Sequence, residues 1–185
     1  MLKEIIIKTE ELMKKSVEKF KETIKTIRTG RANVSIVENI KVECYNSVSL
    51  LNKVAGITIP DSRTIEIRPW DATILPAIEK AIYQADIGLT PVNDGKVIRL
   101  TVPPLTEERR KELVKYLHKV AEEFHISIRN ERHNGINLLK KAEKDKKISK
   151  DDYYKGEQQL QKLTDIYLKN INEILAIKEK EIMTE

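Results

Sequence analysis

The spacing of hydrophobic residues changes twice along this chain, and the two changes restrict the folds that it can adopt. From residue 2 to about residue 28, apolar side chains recur every seven residues, which indicates one long amphipathic helix. This line and its flanks consist of Ile6, Met13, Val17, Phe20, Ile24 and Ile27. The pattern ends at Thr29 and Gly30, and glycine is the residue expected just past a helix end. Residues 2–28 are therefore predicted to form the first helix.

A period of two residues replaces the helical spacing between residues 31 and 102. Short runs alternate apolar with polar positions beside turn-forming residues, which is the pattern of half-buried strands. These runs are Ile40 to Cys44, Ile57 to Ile59 and Ile65 to Ile67. Cys44, the single cysteine of the chain, alternates with Ile40 and Val42. We therefore predict that it fills a strand and is not a nucleophile.

One short helix and one hairpin are predicted in the same segment. The helix includes Ile78 and has Asp71 or Thr73 as its N-cap, and a start at Thr73 leaves Pro76 in the first turn, where a missing N–H costs little. The run Asn93-Asp94-Gly95 predicts a tight turn between two strands, because such turns need residues that tolerate positive φ. Residues 31–102 should thus form a small mixed α/β domain whose helix covers a sheet.

Helical spacing returns after Pro103 and Pro104. Thr106 is the predicted N-cap, and the acidic residues after it suit the positive end of a helix. The apolar face then includes Leu113, Leu117, Val120, Phe124, Ile128, Gly135 and Leu139. A second break lies at residues 145–149, where Ser149 and Asp152 resemble a capping box. In the last helix, the apolar residues predicted to face the other helices are Tyr153, Leu160, Leu163, Tyr167, Ile174 and Ile177.

Three amphipathic helices cannot bury their apolar stripes singly, so they should pack together as a bundle. The predicted fold class is α+β, with a long three-helix bundle formed by residues 1–29 and 106–185 and a small α/β domain inserted at residues 30–105. Two short linkers at one end of the bundle form a hinge in this prediction. The hinge residues are Thr29, Gly30, Pro103 and Pro104.

Composition narrows the class of protein. A charged fraction of 34% with only 5% aromatic residues is typical of long, solvated helices. The net charge of +5 favours an acidic partner such as nucleic acid, although a merely soluble basic surface fits equally well. The apolar run near the N-terminus is too short for a signal peptide, and no stretch is long enough to span a bilayer. A lone cysteine suits a reducing compartment, so we expect a cytoplasmic protein without membrane contact.

A candidate nucleic-acid interface lies on the second long helix. Arg129, Arg132, Ile136 and Lys140 fall within one sector beside the apolar stripe, with His133 at its rim. Guanidinium groups are planar, permanently charged donors that suit phosphate and base edges, which indicates contact with RNA. The alternative is a solvated helix edge on which Arg132 pairs with a carboxylate of the bundle, and the pattern alone favours this alternative.

Other polar groups are less informative. Arg28 and Arg31 bracket Gly30, and Arg28 could equally complement the negative end of the first helix. The lysine-rich run from residue 140 to residue 150 is by itself more typical of a solvated turn than of a binding site. His118 and His125 lie on one side of a helix but roughly 10 Å apart, too far to share a zinc ion.

No motif for covalent chemistry stands out in the sequence. A glycine-rich phosphate loop, a Ser-His-Asp set and a spaced Cys/His ligand group are all missing, so we predict a binding protein that is not an enzyme and needs no cofactor or metal. Two rival hypotheses stay open. A protein-interaction scaffold would bind its partner with little dependence on salt, whereas an RNA binder would depend on it steeply. An unrecognised hydrolase would turn over a nucleotide or ester.

Several short segments are informative when their order and spacing are taken together. These segments are Arg28 to Ala32, Pro69-Trp70-Asp71, Asn93 to Gly95 with Ile98-Arg99, Pro103 to Arg110, Arg129-Asn130 with Arg132, and Gln161 to Asp165. In this order and spacing they resemble the bacterial ribosome recycling factor family over essentially the whole chain. The resemblance implies an L-shaped protein in which a three-helix bundle carries a hinged β/α/β domain.

The same resemblance implies a function at the end of translation. The family binds the large ribosomal subunit through its RNA, as a monomer, and with elongation factor G and GTP it splits the post-termination ribosome into subunits. Messenger RNA and deacylated transfer RNA are then released. The GTP is hydrolysed by the partner, which agrees with the lack of a phosphate loop in this chain.

The resemblance also assigns site residues, and it reverses the preference at Arg132 in favour of RNA contact. Arg129 and Arg132 match the family's bundle arginines that face ribosomal RNA, and Arg28 and Arg31 match its basic residues by the hinge. The other predicted ribosome-binding residues are Arg110, His133 and Lys140. Where the family commonly has a second arginine, an acid and alanine, this chain has His133, Asn134 and Gly135. His133 lacks a permanent charge, and a glycine inside a helix costs roughly 1 kcal/mol relative to alanine. Asn46 replaces a common glycine at a predicted left-handed turn.

Overall fold

The computed structural model describes residues 1–184 and divides the chain into two compact units. The first unit joins Met1–Arg28 to the residues from Thr106 onward, and the second is Thr29–Leu105. Each unit has its own hydrophobic core. The predicted mixture of long helices and a small sheet domain is confirmed.

The elements follow one another along the chain in an order that matches this division. The helices are α1 (Leu2–Lys25), α2 (Leu51–Val54), α3 (Leu75–Gln84), α4 (Glu107–Lys144) and α5 (Lys150–Met183). The strands are β1 (Lys41–Cys44), β2 (Ser47–Leu50), β3 (Ala55–Asp61), β4 (Thr64–Pro69), β5 (Pro91–Asn93) and β6 (Ile98–Thr101). The first unit therefore contains α1, α4 and α5, and the second contains all of the strands. In residues 1–184 no helix is both long and apolar enough to cross a membrane.

The three long helices bury the apolar lines that their sequences predict. Met13 and Phe20 of α1 are fully buried, as are Leu117 and Ile128 of α4. The rings of Phe20 and Phe124 lie 5.3 Å apart in a tilted arrangement. The prediction for Ile177 is wrong, because 63% of this residue is exposed. At 3.6 residues per turn, Ile177 lies roughly 100° around α5 from the buried Leu160, which turns it away from the interface.

The predicted caps of α4 and α5 are confirmed. The Thr106 hydroxyl accepts the N–H of Arg109 at 3.2 Å. Ser149 and Asp152 form a complete capping box, in which each side chain accepts the backbone N–H of the other residue. Hydrogen bonds to the Asp152 carboxylate from the Ser149 side chain and then from its backbone N–H lower the pKa of Asp152. The caps thereby fix where both helices begin.

The first helix ends earlier than predicted, at Lys25 and not near Arg28. The Thr26 hydroxyl donates to the Thr23 carbonyl at 2.7 Å, and the N–H of Ile27 donates to the Ile24 carbonyl at 3.2 Å. These short-range bonds satisfy carbonyls at the helix end, so the helix stops there. Ile27 remains buried in the bundle core despite lying outside the helix.

The second unit contains two antiparallel sheets and α3. Strands β1 and β2 form one sheet, and the other has the order β3-β4-β6-β5. Ile78 and Ile82 of α3 pack into the same core as Ile65 and Ile67 of β4. Asp71 caps the short 3-10 turn that leads into α3, and Cys44 is buried on β1 as predicted. The helix therefore covers sheet residues, in agreement with the sequence.

The two hairpins of this unit have different turns. Between β1 and β2, Asn46 has the predicted positive φ, and Tyr45 shares it, which the sequence did not indicate. Between β5 and β6 the loop is longer than the predicted tight turn, because Asn93 pairs with Ile98. Within this loop only Gly95 has positive φ. The helix α2 was not predicted either, since its four residues are too few for a periodic pattern.

Candidate nucleic-acid interface

The structure brings four of the predicted basic residues together on α4. Arg129, Arg132, His133 and Lys140 span about 16 Å of the helix and lie on one side of it. Arg129, His133 and Lys140 are exposed, whereas Arg132 is half-buried. Ile136, also half-buried, lies between them. The group is thus a cationic surface beside the apolar interface of α4, as the sequence predicted.

The packing beneath this surface is close because residue 135 is glycine. A Cβ atom added at Gly135 would lie 2.8 Å from the Thr9 Oγ1 and 2.9 Å from the Leu160 Cδ1. Thr9 is buried and its hydroxyl donates to the Ile5 carbonyl at 2.8 Å, so it has its hydrogen bond. The three long helices therefore approach closely at this level of the bundle. The helical cost of glycine is offset here by the close approach of the Thr9 and Leu160 side chains to the α4 backbone.

Arg132 is held by α5 through an amide and not by a carboxylate. Its Nη1 donates to the Oε1 of Gln161, and the Nε2 of Gln161 donates to the Oδ1 of Asp165 at 2.8 Å. The Arg132 Nε is buried and has no hydrogen-bond partner within the described part of the chain. The stem of the side chain consequently lies against the bundle, and only its outer nitrogens reach the surface.

Arg129 has a different electrostatic environment. Its Nη1 lies 3.3 Å from the Oε1 of Glu122, whose Oε2 lies 3.1 Å from the Nδ1 of His125. The hydrogen bond with His125, followed by the charges of His125 and Arg129, lowers the pKa of Glu122. Glu122 is therefore ionised at neutral pH and partly neutralises Arg129. The two neighbouring arginines thus differ in how much of their charge is available to a ligand.

Three other predicted basic residues lie outside this segment of α4. Arg110 is in the first turn of α4, about 28 Å along the helix from Arg129, and its Nη1 donates to the Met183 carbonyl at 3.3 Å. Arg28 and Arg31 are exposed and follow the end of α1. Arg28 belongs to the first unit and Arg31 to the second. The predicted site residues therefore do not form one continuous cluster on α4.

The predicted hinge residues lie where the chain passes between the two units. The crossings follow Arg28 and Leu105. Gly30 has a φ of 76°, and a Cβ atom there would lie 3.0 Å from the Leu105 Cγ. Thr29 is half-buried, while Pro103 and Pro104 are exposed. Gly30 is thus required both by its backbone conformation and by its closeness to the second crossing.

The histidines that we considered as metal ligands are paired with carboxylates. His118 Nε2 lies 3.2 Å from a Glu179 oxygen, and His125 pairs with Glu122. No group of three or more potential ligands occurs among residues 1–184. Both histidines considered as metal ligands therefore have a carboxylate neighbour.

Gln161 and Asp165 were not assigned a role from the sequence. Their spacing of four residues places them on one face of a helix, which is a signal for a mutual hydrogen bond. The contact with Arg132 depends on how α4 and α5 are aligned, and a hydrophobic pattern does not specify that alignment. Only the structure connects these residues to the cationic surface.

Comparison with known proteins gives consistent matches over nearly the whole chain. A family model described as ribosome recycling factor matches residues 20–183. The ribosome-recycling factor of Desulfotalea psychrophila is 52% identical over 98% of this chain and 99% of its own length. That of Endomicrobium trichonymphae is 53% identical over 94% of both chains.

Solved structures of the same kind also match. A solution structure of a ribosome recycling factor has a TM-score of 0.78 and 43% identity, and the match covers 100% of this chain and 98% of the other. A second match, with a TM-score of 0.64 and 40% identity, covers 99% of both chains. It is the Thermus thermophilus factor, reported with Escherichia coli elongation factor G as models bound to the E. coli post-termination complex.

Proposed function

We propose that this chain, which belongs to the ribosome recycling factor family, splits post-termination ribosomes into their subunits. It acts with elongation factor G and GTP, and messenger RNA and deacylated transfer RNA are released. The observation that carries the proposal is the match over 99% of the chain to a factor described on the post-termination complex with elongation factor G. In this proposal, the chain acts as a monomer in the cytoplasm.

The bundle serves as the part that grips the ribosome. The helices α4 and α5, of 38 and 34 residues, are each about 50 to 57 Å long. Buried side chains from all three helices hold them together as one stiff body. Arg129, Arg132, His133 and Lys140 supply donors for the phosphates and bases of large-subunit RNA. Arg28, Arg31 and Arg110 make further RNA contacts.

The two chain crossings serve as a hinge. Thr29 and Gly30 form one crossing, and Pro103 and Pro104 lie beside the other. Elongation factor G pushes the α/β unit, which turns about these linkers while the bundle stays on the RNA. The chain contributes binding and mechanical coupling only, and it catalyses no covalent step. GTP hydrolysis belongs to elongation factor G, so this chain needs no cofactor of its own.

Substitution of Arg132 tests the proposed RNA contact. We expect Arg132→Ala to weaken binding to isolated large subunits by about 1–3 kcal/mol, because a charged donor to RNA is lost. The thermal unfolding curve should stay close to that of the unmodified protein. Affinity is measured by equilibrium sedimentation at several salt concentrations, since counterion release makes RNA binding depend on salt.

Arg109→Ala is the matched control for this experiment. Arg109 is an exposed arginine at the other end of α4, paired with Glu112 at 2.8 Å. Its removal lowers the net charge equally but should change the affinity little. Unchanged affinity for Arg132→Ala, with normal folding, would remove Arg132 from the interface. Binding that ignores salt would favour a protein-interaction scaffold instead.

A further inference from the structure

We propose that Gln161 and Asp165 are positioning residues for Arg132, and that the Gln161 amide fixes the guanidinium group without neutralising its charge. This inference rests on the proposed RNA contact of Arg132 and explains how the bundle prepares that contact. The three residues form one chain of hydrogen bonds from α4 to α5. We refer to this chain of Arg132, Gln161 and Asp165 as the amide tether.

The order of groups in the amide tether follows from their hydrogen-bonding chemistry. A guanidinium group only donates hydrogen bonds, an ionised carboxylate only accepts them, and an amide does both. Asp165 accepts from the Gln161 Nε2 at 2.8 Å, which turns the amide oxygen toward Arg132. Asp165 therefore sets the orientation of Gln161, and Gln161 sets the position of the Arg132 Nη1.

The neutral amide leaves the charge of Arg132 available. No carboxylate lies within ion-pair distance of Arg132 in residues 1–184, although its neighbour Arg129 is paired with Glu122 at 3.3 Å. An RNA phosphate must compete with Glu122 for Arg129. At Arg132, the phosphate meets a guanidinium group that is already held in place and still carries its full charge. Such a preorganised donor loses little side-chain entropy on binding.

The packing below the tether keeps its two helices at a fixed separation. Gly135 lies one turn after Arg132, and Leu160 immediately precedes Gln161. These two residues are in close contact, because a Cβ atom on Gly135 would lie 2.9 Å from the Leu160 Cδ1. The buried Nε of Arg132 shows that the side chain is embedded up to the head group. The tether thus lies at a closely packed level of the bundle.

The variant Gln161→Glu tests whether RNA binding depends on the neutrality of the group that holds Arg132. A glutamate forms an ion pair with Arg132, so folding should be retained while the affinity for isolated large subunits falls about tenfold. The slope of binding against salt should decrease by about one, as expected when one phosphate contact is lost. Gln159→Glu is the control, because this exposed residue adds the same charge on a different face of α5. Unchanged affinity for Gln161→Glu would contradict the inference.

A double-mutant cycle tests whether Gln161 acts through Arg132. We expect Gln161→Ala to weaken large-subunit binding severalfold in the unmodified protein and to have no further effect when Arg132→Ala is present. The same loss in both backgrounds would mean that Gln161 contacts RNA directly, which would overturn the positioning role. Asp165→Asn should lower affinity less than Gln161→Ala, because an asparagine can still accept from the Gln161 amide.

An NMR measurement without ribosomes separates this inference from the proposed function. The Arg132 Nε–H group should be rigid in heteronuclear relaxation experiments on the unmodified protein and more mobile in Gln161→Ala. Equal mobility in the two proteins would overturn the tether, whatever the binding data show. A rigid Arg132 combined with normal ribosome affinity of Arg132→Ala would instead overturn the proposed RNA contact and, with it, the purpose of the tether.

Discussion

Gly135 shows how one position can be misjudged from sequence and explained by structure. Within a helix, glycine is less favourable than alanine by roughly 1 kcal/mol, and on that basis residues 133–135 looked like a weakness of the chain. In the structure, a Cβ atom at this position would lie only 2.8 Å from the Thr9 Oγ1 and 2.9 Å from the Leu160 Cδ1. Helix propensity is a local property, whereas this contact joins residues far apart in the sequence. No local pattern could have revealed it.

The variant Gly135→Ala is therefore expected to destabilise the protein. The added methyl group meets the Thr9 side chain at 2.8 Å. Overpacking of this kind costs typically about 1–3 kcal/mol, which exceeds the gain in helix propensity. Urea unfolding followed by circular dichroism measures the change. Asn134→Ala, an exposed substitution on the same helix turn, should be neutral or slightly stabilising, and an equally stable Gly135→Ala would refute the packing argument.

Asp94 gives the hairpin between β5 and β6 a dependence on pH. Its Oδ1 accepts the N–H groups of Val97 at 2.8 Å and Lys96 at 2.9 Å, and its Oδ2 pairs with Arg99. The backbone hydrogen bond from Val97 is the main reason that the pKa of Asp94 lies below its ordinary value of 3.8. A carboxylate with a lowered pKa stabilises the folded state above its unfolded pKa and loses this contribution as pH falls through the folded pKa.

Comparison of the unmodified protein with Asp94→Asn tests this expectation. The unmodified protein should be the more stable of the two at pH values near neutrality, because only the ionised carboxylate pairs with Arg99. The difference should shrink once the pH falls below about 4. Thermal unfolding at a series of pH values measures it. Glu43→Gln, which alters an exposed carboxylate on β1, should show a smaller change with pH. A constant gap for Asp94→Asn would contradict the assignment.

Among the helices and strands, most types but not all boundaries were predictable. Long apolar stripes identified α1, α4 and α5, and alternation identified β1, β3 and β4. The end of α1 was missed because the hydroxyl of Thr26 bonds to the carbonyl of Thr23 at the end of the last turn. The spacing of apolar residues gives no signal for such a hydrogen bond. Ile177 was misplaced because it lies roughly 100° around α5 from the buried Leu160, at the edge of the apolar stripe. The short α2 offered too few residues for any periodic signal.

The start of α5 depends on the Ser149 cap. Its hydroxyl accepts the N–H of Asp152 at 3.0 Å, which satisfies one of the otherwise unpaired donors of the first turn. We expect Ser149→Ala to lower the free energy of unfolding by about 1 kcal/mol. Chemical denaturation measures this loss. Ser149→Thr keeps a hydroxyl and should retain most of the stability, and a Ser149→Ala variant as stable as the parent would argue against the cap.

For the chain as a whole, the sequence predicted the components and the structure supplied the alignment between them. Two core clusters, one shared by α1, α4 and α5 and one by the sheets and α3, agree with two changes of hydrophobic period. The cationic surface on α4 was also predictable, since its members lie on one helix. Its link to Gln161 was not, because that contact depends on the alignment of α4 with α5.

The proposed function assigns a mechanical task to this architecture. In this proposal, the bundle binds large-subunit RNA through a surface whose main arginine is Arg132, and the amide tether fixes that arginine. In the same proposal, elongation factor G pushes the α/β unit, which two short crossings join to the bundle. The α/β unit lacks the RNA surface on α4, and the bundle lacks the part that elongation factor G is proposed to push. Neither unit is therefore expected to split ribosomes alone. In this proposal, only the whole chain combines RNA binding with a unit that can turn.

Light scattering of post-termination ribosomes decides whether the chain performs this task. The protein, elongation factor G and GTP are mixed with the ribosomes, and each component is omitted in turn, with elongation factor G taken from several bacterial sources. We predict a loss of scattering, as ribosomes separate into smaller subunits, that requires all three components. No loss with any of these elongation factors, in samples where the protein binds large subunits in a salt-dependent manner, would contradict ribosome splitting and leave a ribosome-binding protein without recycling activity.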